Sequence, residues 1–132
     1  MSSPDKATIY FAEPAEGVKP AKEFWEKLDE TVRSKFEAIF KTLRRDGRIG
    51  GEDKLKKLEG DIWEFRVRGK KHYRLFVGKR PEGKWYLTHG WEKKSNKTPR
   101  REIERAKRIM RQVDERLAKQ DLRQSKGKGT GR

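Results

Sequence analysis

The chain has 132 residues, of which 36 are Lys or Arg and 21 are Asp or Glu, so its formal net charge is +15. Only 31% of the residues are hydrophobic, and this length and composition support a single compact domain with a modest core. The absence of cysteine excludes disulfides and thiolate chemistry, and two histidines are too few for an imidazole-rich centre, so we expect no metal and no cofactor. The excess positive charge favours nucleic acid or an acidic protein as partner over a neutral small molecule or a membrane.

The amino-terminal sequence predicts a protein that stays in the cytoplasm. The first residues, MSSPDKATIYFAEP, lack a basic stretch followed by an apolar run. No segment approaches the roughly 18 apolar residues of a membrane span.

The first elements in chain order are a strand and a helical region. Residues 7–12, ATIYFA, are rich in β-branched and aromatic side chains and predict a short strand. From Ala21, apolar residues recur every three or four positions and predict a helix that ends at Gly47. Asp29 and Thr31 are both suitable N-caps, so we expect a helical hairpin that breaks near residues 29–30; one long helix is the alternative.

The next segment, 48–61, combines glycines with charged residues and is interpreted as a loop with at most a turn of helix. It lacks the Lys-Ser or Lys-Thr pair of a phosphate-binding P-loop.

Three alternating segments, IWEFRVR, HYRLFV and KWYLTHGW, follow and predict consecutive antiparallel strands. The alternation assigns one set to the core: Trp63, Phe65, Val67, Tyr73, Leu75, Val77, Trp85, Leu87, His89 and Trp91. It assigns the other set to an outward face: Glu64, Arg66, Arg68, His72, Arg74, Phe76, Tyr86, Thr88 and Gly90. On this pattern His89 is a packing residue.

Thr98-Pro99 predicts the start of a basic C-terminal helix over about residues 98–122, with a narrow apolar stripe that covers the sheet. We expect one domain over residues 1–122 and a disordered basic tail over 123–132. Residues 93–132 hold 15 basic and 5 acidic side chains, so most of the excess charge lies behind Trp91.

The outward face mixes cations with aromatic side chains. RNA-binding surfaces need this mixture, because cations bind phosphates and aromatic or guanidinium planes stack on unpaired bases. The alternative interpretation is that these residues form the solvated side of an antiparallel sheet.

Two runs of sequence, LEGDIWEFRVRGKKHYRLFV and LTHGWEKKSNKTPRREIERAKR, resemble the RelE/HigB-type toxins of bacterial type II toxin–antitoxin modules, and most closely their HigB-like, phage-derived branch. The resemblance covers about residues 55–108. It implies an α+β fold with an N-terminal strand, a two-helix hairpin, an antiparallel sheet and a C-terminal helix. It also implies metal-free cleavage of messenger RNA on the ribosome and a cognate antitoxin encoded next to the toxin.

The resemblance places catalytic cations at Arg66, Arg74 and Lys94, whereas Glu64 stands where close RelE relatives tend to carry lysine. Such cleavage uses the substrate's own 2′-hydroxyl, so the protein has to hold the phosphate and move two protons. His72 ranks first as proton carrier, because imidazole titrates near neutral pH, and Tyr86, Glu64 and Glu92 are further candidates. Further contacts to RNA are expected from the remaining basic residues of the region: Arg68, Lys70, Lys71, Lys93, Lys97, Arg100 and Arg101.

A noncatalytic function on the same scaffold is the alternative hypothesis. It would be either a ParE-like inhibitor of DNA gyrase or a basic RNA-binding accessory protein. The cations on the sheet favour the nuclease, and the departure at Glu64 favours the alternative.

Overall fold

The protein is described by a computed structural model that covers residues 4–95 and 97–130, with side chains as far as Arg123. Its elements are, in chain order, β1 (Thr8–Phe11), α1 (Pro20–Lys27), α2 (Glu30–Asp46), β2 (Leu55–Glu59), β3 (Ile62–Arg68), β4 (His72–Arg80), β5 (Lys84–Lys93) and α3 (Arg100–Thr130). The predicted α+β class, with an N-terminal strand, a helical hairpin and a C-terminal helix, is confirmed.

The helical hairpin breaks where the sequence predicts. The Asp29 carboxylate accepts a hydrogen bond from the Val32 backbone N–H at 2.9 Å, which caps α2 at its first turn. Gly47 ends the same helix in the left-handed conformation, with φ of 77°, and its N–H donates to the Leu43 carbonyl. The single long helix is therefore excluded.

The five strands form one mixed sheet in the order β1-β5-β4-β3-β2. Strands β3 to β5 pair antiparallel as predicted, and β2 adds antiparallel to the free edge of β3. Strand β1 pairs parallel to β5, so the sheet is mixed and not antiparallel throughout as the sequence predicts. The interpretation of 48–61 as a loop is wrong for its second half, because Leu55–Glu59 is strand β2. Leu55 and Leu58 pack in different core clusters, so this strand carries no alternating signal.

Helices cover both faces of the sheet. On the face that we call the first face, α1 and α2 pack against an apolar core centred on Phe36, Phe65 and Leu75. On the opposite side, the second face, α3 packs through Ala106 and Met110. The expectation of an open outward face is therefore wrong for Glu64, Arg74, Phe76 and Thr88, which are buried on the second face.

A β-bulge in β5 overturns part of the predicted alternation. Phe76 pairs with His89 but Val77 pairs with Leu87, so Thr88 is the extra residue. One extra residue moves all that follow to the other side of the strand. His89 and Trp91 therefore lie on the second face, against the prediction. Gly90 faces α1, where a Cβ would overlap the Phe24 ring.

Helix α3 begins at Arg100, and the Thr98 hydroxyl donates to the Glu64 carboxylate at 3.1 Å instead of capping the helix. The helix is assigned through Thr130, past residue 122 where the sequence predicts its end, and the disordered tail stays a prediction. Among the described residues, no helix has both the length and the apolar character that crossing a membrane requires.

Candidate functional site

A cavity of about 950 Å³ opens at the edge of the sheet beside β3. It exists because β2 begins only at Leu55, opposite Phe65, so that the last residues of β3 pair with β4 on one side but with no strand on the other. In place of a strand, the Arg66 N–H donates to the Lys54 carbonyl, and Lys35 Nζ of α2 donates to the Arg68 carbonyl at 3.1 Å. The wall is thus built from α2, the segment 49–54 and the ends of β3 and β4.

The wall of this cavity is strongly cationic. Five of its side chains carry a permanent positive charge, and they are Lys35, Lys54, Arg66, Arg68 and Arg74. His72 joins them, and Asp53 is the one carboxylate among the residues that line the cavity. A concave surface with this balance attracts anions, because the low-dielectric walls focus the field of the charges.

Arg66 and Arg74 meet across β3 and β4, as the sequence predicts for two members of its catalytic set. They are direct cross-strand partners, and the Nε of each lies 3.5 Å from Oε1 of Glu64. Arg66 keeps 14% of its side chain exposed and reaches the Glu52 carbonyl, whereas Arg74 keeps only 4%. Arg66 is therefore the more accessible cation, and Arg74 lies behind it.

Glu64 is the buried centre of this group, with 1% of its side chain exposed. Burial raises the pKa of Glu64, and the charges of Arg74 and Arg66 and the hydrogen bond from Thr98 oppose that rise. Burial also lowers the pKa of Arg74, although a guanidinium stays charged at any pH of interest. Glu64 ties the two arginines to the start of α3.

His72 begins β4 opposite Arg68 and lines the cavity. Desolvation, followed by the charges of Arg74, Arg68 and Arg66, lowers the pKa of this imidazole below its ordinary value of 6.5. The ring is therefore neutral at pH 7, and a neutral ring can accept a proton.

Two predicted catalytic residues lie apart from this cluster. Tyr86 pairs with Gly78, four residues along β4 from Arg74, or about 13 Å at about 3.3 Å per residue. It stacks on Tyr10 under α3, with ring centroids 5.0 Å apart, and burial raises its pKa. Lys94 is exposed just past β5, next to Lys93, which pairs with His72, but it lies outside the cavity wall.

The predicted RNA-binding residues are spread over the same end of the sheet. Arg68 lines the cavity, and Lys70 and Lys71 form the adjoining turn, where Lys71 Nζ lies 3.0 Å from Glu92. Lys93 donates to the Lys97 carbonyl and lies 4.6 Å from the Trp91 ring centroid.

At the start of α3, Arg100 donates to both oxygens of Glu59 and pairs with Glu104, while Arg101 is 76% exposed beside Glu102. These are surface contacts that an anion can displace.

Three charged residues of the cavity wall were missed by the sequence analysis, namely Lys35, Asp53 and Lys54. Lys35 lies on α2, far from the strands in sequence, and the other two lie in the segment that was interpreted as a loop. The sequence did contain a signal for Lys54, because Lys54 follows the glycines at positions 50 and 51, and loops commonly carry binding residues.

The second buried polar group lies under α3. His89 Nε2 is 3.0 Å from Glu102, its Nδ1 is 3.1 Å from the Thr88 hydroxyl, and its ring stacks on Phe76 with centroids 4.6 Å apart. Burial, helped by the charges of Arg105 and Arg108, lowers the pKa of His89 to about 3. The imidazole is therefore neutral and fixes α3 to the sheet.

No group of three or more His, Asp or Glu side chains that could hold a metal ion occurs within residues 4–95 and 97–130.

The fold and the cavity define a small, basic α+β protein with a concave cationic cavity. The family model described as phage-derived protein Gp49-like (DUF891) matches residues 23–111, about two thirds of the chain. The chain therefore belongs to this Gp49-like family, which is of the RelE/HigB toxin type and is linked to toxin–antitoxin modules. Membership implies an antitoxin as partner. A comparison with curated proteins finds no significant match.

Proposed function

We propose that this protein is the toxin of a type II toxin–antitoxin module and an endoribonuclease that cuts messenger RNA on the ribosome. The observation that carries the proposal is the cationic cavity, in which Arg66, Arg68 and a neutral His72 lie within one concave surface. The reaction is attack of the substrate's own 2′-hydroxyl on the neighbouring phosphodiester. The new bond from the 2′-oxygen to phosphorus gives a 2′,3′-cyclic phosphate as the bond from phosphorus to the 5′-oxygen of the next nucleotide breaks, and that leaving oxygen takes a proton from water. No cofactor takes part in it.

The roles follow from exposure and charge. His72 accepts the proton of the 2′-hydroxyl, a task that a neutral imidazole performs at pH 7. Arg66 and Arg68 stabilise the extra negative charge that develops on phosphorus. Arg74 is nearly buried against Glu64, the carboxylate that also contacts Arg66, so it adds positive charge from behind.

The flanking cations bind the ribosome and the message. Four exposed arginines recur on α3 at spacings of three and four residues, and they are Arg101, Arg105, Arg108 and Arg111. Together with Lys94 and Lys97 before the helix, they form a strip that binds ribosomal RNA phosphates, with an affinity that falls as salt rises.

The second candidate is a noncatalytic protein on this scaffold, either a ParE-like gyrase inhibitor or an RNA-binding accessory protein. Glu64 favours it, because a carboxylate within 3.5 Å of both Arg66 and Arg74 offsets part of the charge that a phosphate would need.

The test is a bacterial translation extract that contains the purified protein and a defined message, with cuts mapped by primer extension. We expect discrete cuts only when the message carries a ribosome-binding site. Arg68→Ala and His72→Gln should each lower the cutting rate by about 10²-fold, because each removes charge stabilisation or proton transfer at the phosphate.

Lys22→Ala is the matched control, because Lys22 is an exposed cation of α1 that lies outside the cavity wall. It should cut at the rate of the unaltered protein. An intact message, or unchanged cutting by both cavity variants, contradicts the nuclease. Inhibition of DNA supercoiling by purified gyrase would then support the ParE-like alternative.

A further inference from the structure

The cavity beside β3 has two chemically different walls, of which the proposed reaction uses only the cationic one. The other wall is apolar and consists of Ala38 and Ile39 of α2, Ile49 of the following segment and Val67 of β3. A phosphate group gains nothing from aliphatic side chains, so this part of the cavity fits another part of a ligand.

The size of the cavity agrees with a ligand larger than phosphate. Its volume of about 950 Å³ lies at the upper end of the range of about 300–1,000 Å³ that small-molecule sites occupy. An unpaired nucleotide has the matching composition, because it joins one anionic phosphate to one flat base that gains from burial. Proteins that read RNA sequence take up unpaired bases in this way and bind their Watson–Crick edges.

Asp53 adds a carboxylate to the segment 49–54, which also carries Ile49 of the apolar wall. It is exposed, and it is the one carboxylate among the lining residues, whose other charged side chains are all basic. Its Oδ1 lies 2.7 Å from the position that a Cβ on Gly51 would take, and Gly51 has φ of 88°, so the absence of a side chain there makes room for the carboxylate. Because this carboxylate repels phosphate, the part of a nucleotide that suits it is a base edge that donates hydrogen bonds.

Guanine is the base with the best match to a carboxylate. Its Watson–Crick edge presents N1–H and the N2 amino group side by side, and the two oxygens of a carboxylate accept such a pair of donors together. Adenine, cytosine and uracil each present an acceptor beside their donor, and that acceptor would face the negative charge.

We propose that the cavity is a guanine-selective nucleotide subsite. The phosphate of an unpaired nucleotide lies against Arg66 and Arg68, the base enters between α2 and the segment 49–54, and Asp53 accepts hydrogen bonds from the guanine edge. The proposal rests on the proposed function for its RNA substrate, but it concerns binding and base selection and does not depend on cleavage.

The experiment measures equilibrium binding of fluorescent pentanucleotides by anisotropy. The probes are 2′-O-methyl oligomers of the form UUNUU, with N as G, A, C or U; the methyl group blocks the attacking hydroxyl, so no probe is cut. We expect the G oligomer to bind about tenfold more tightly than the others. Asp53→Asn should reduce this advantage to about threefold or less, while the loss of one negative charge tightens binding of the other three.

Glu26→Gln is the matched control, since it makes the same change of charge on an exposed position of α1. Its G advantage should stay near tenfold. A second variant, Ala38→Phe, fills the apolar wall from an exposed helix position and should weaken the G oligomer by about tenfold, with thermal unfolding checked in parallel to show that the fold is kept.

The outcomes separate this proposal from the nuclease. Equal binding of the four oligomers, an unchanged G advantage in Asp53→Asn, or no binding at 100 µM overturns the guanine subsite, whether or not ribosome-bound message is cut. Selective binding that depends on Asp53, with no cutting in the translation extract, supports the subsite and contradicts the nuclease.

Discussion

Helices cover both faces of the sheet, but the two faces are held together by different means. The first face packs through apolar and aromatic side chains such as Phe65 and Leu75. The second face buries Glu64, Arg74 and His89 of the sheet and Glu102 of α3, a helix whose outer sides are charged. An apolar core tolerates substitutions that keep its volume and its apolar character, whereas a buried polar group destabilises the fold when it loses its hydrogen-bond partners. The second face should therefore depend more on pH and on single partners.

The largest expected difference between the faces is in acid. Because the folded pKa of His89, about 3, lies below its ordinary 6.5, the folded protein keeps the ring neutral while the unfolded chain binds a proton between these values. Stability is lost as pH falls from about 6.5 to about 3, by about 4–5 kcal/mol at about 1.4 kcal/mol per unit.

Urea unfolding of the unaltered protein and of His89→Gln across this pH range measures the loss. The variant should be less stable at pH 7 but should lose less stability towards pH 3, so the two curves converge. His72→Gln keeps His89 and should retain the steep acid loss. Parallel curves for the unaltered protein and His89→Gln would show that His89 is not the cause of the acid loss of stability.

Truncation of the first face comes next. Phe65 is fully buried against Phe40 and Trp85, and Phe65→Ala should lower the free energy of unfolding by about 4 kcal/mol through lost burial and a cavity. Unfolding in urea at pH 5 and pH 7 should give the same loss, since no titrating group is removed. A loss that changes by more than about 1 kcal/mol between these pH values would contradict the claim that the first face is stabilised independently of pH.

Removal of a partner from the second face should cost slightly less. Glu64→Ala leaves Arg74 buried without its carboxylate and should destabilise by about 3 kcal/mol. Glu64→Gln, which keeps the shape and the contact with Thr98, is the milder companion variant. A double-mutant cycle with Arg74→Met measures the coupling, and additive losses would show that the pair does not interact.

The smallest effect is expected at the surface of α3. Arg100 is 62% exposed and pairs with Glu59 and Glu104, so Arg100→Ala should change stability by less than about 1 kcal/mol and still less in 1 M salt. A loss near that of Glu64→Ala would mean that surface pairs, and not the buried groups, hold α3 on the sheet.

The sequence predicted regular elements well because their periodicity is local. The helical hairpin with its break at Asp29 and the three strands from Ile62 to Lys93 follow from apolar spacing, a capping side chain and alternation. Strand β2 was missed because Leu55 and Leu58 lie three apart and contribute to opposite faces. His89 and Trp91 were assigned to the wrong face because the bulge at Thr88 shifts the alternation by one residue.

The residues of the candidate site also divide into those that local sequence predicts and those that only tertiary packing brings in. Arg66, Arg74 and His72 could be placed together from strand alternation and from the resemblance to RelE/HigB-type toxins. Lys35 and Asp53 could not, because α2 and the segment 49–54 reach the cavity only through tertiary packing. Tyr86 was predicted to belong to the site but does not. It shares the second face with Arg74, but it lies at the far end of β4 and β5.

By itself, then, the sequence determined the α+β class, the basic character of the chain and the position of Arg66 and Arg74 on one face of a hairpin, because all three depend on composition or on local periodicity. Only the tertiary structure decided which of these charges face solvent and where a cavity opens. Those outcomes depend on how α2 and the short edge strand β2 pack against the sheet. They also depend on the bulge in β5, which is set by hydrogen bonds between residues far apart in the sequence.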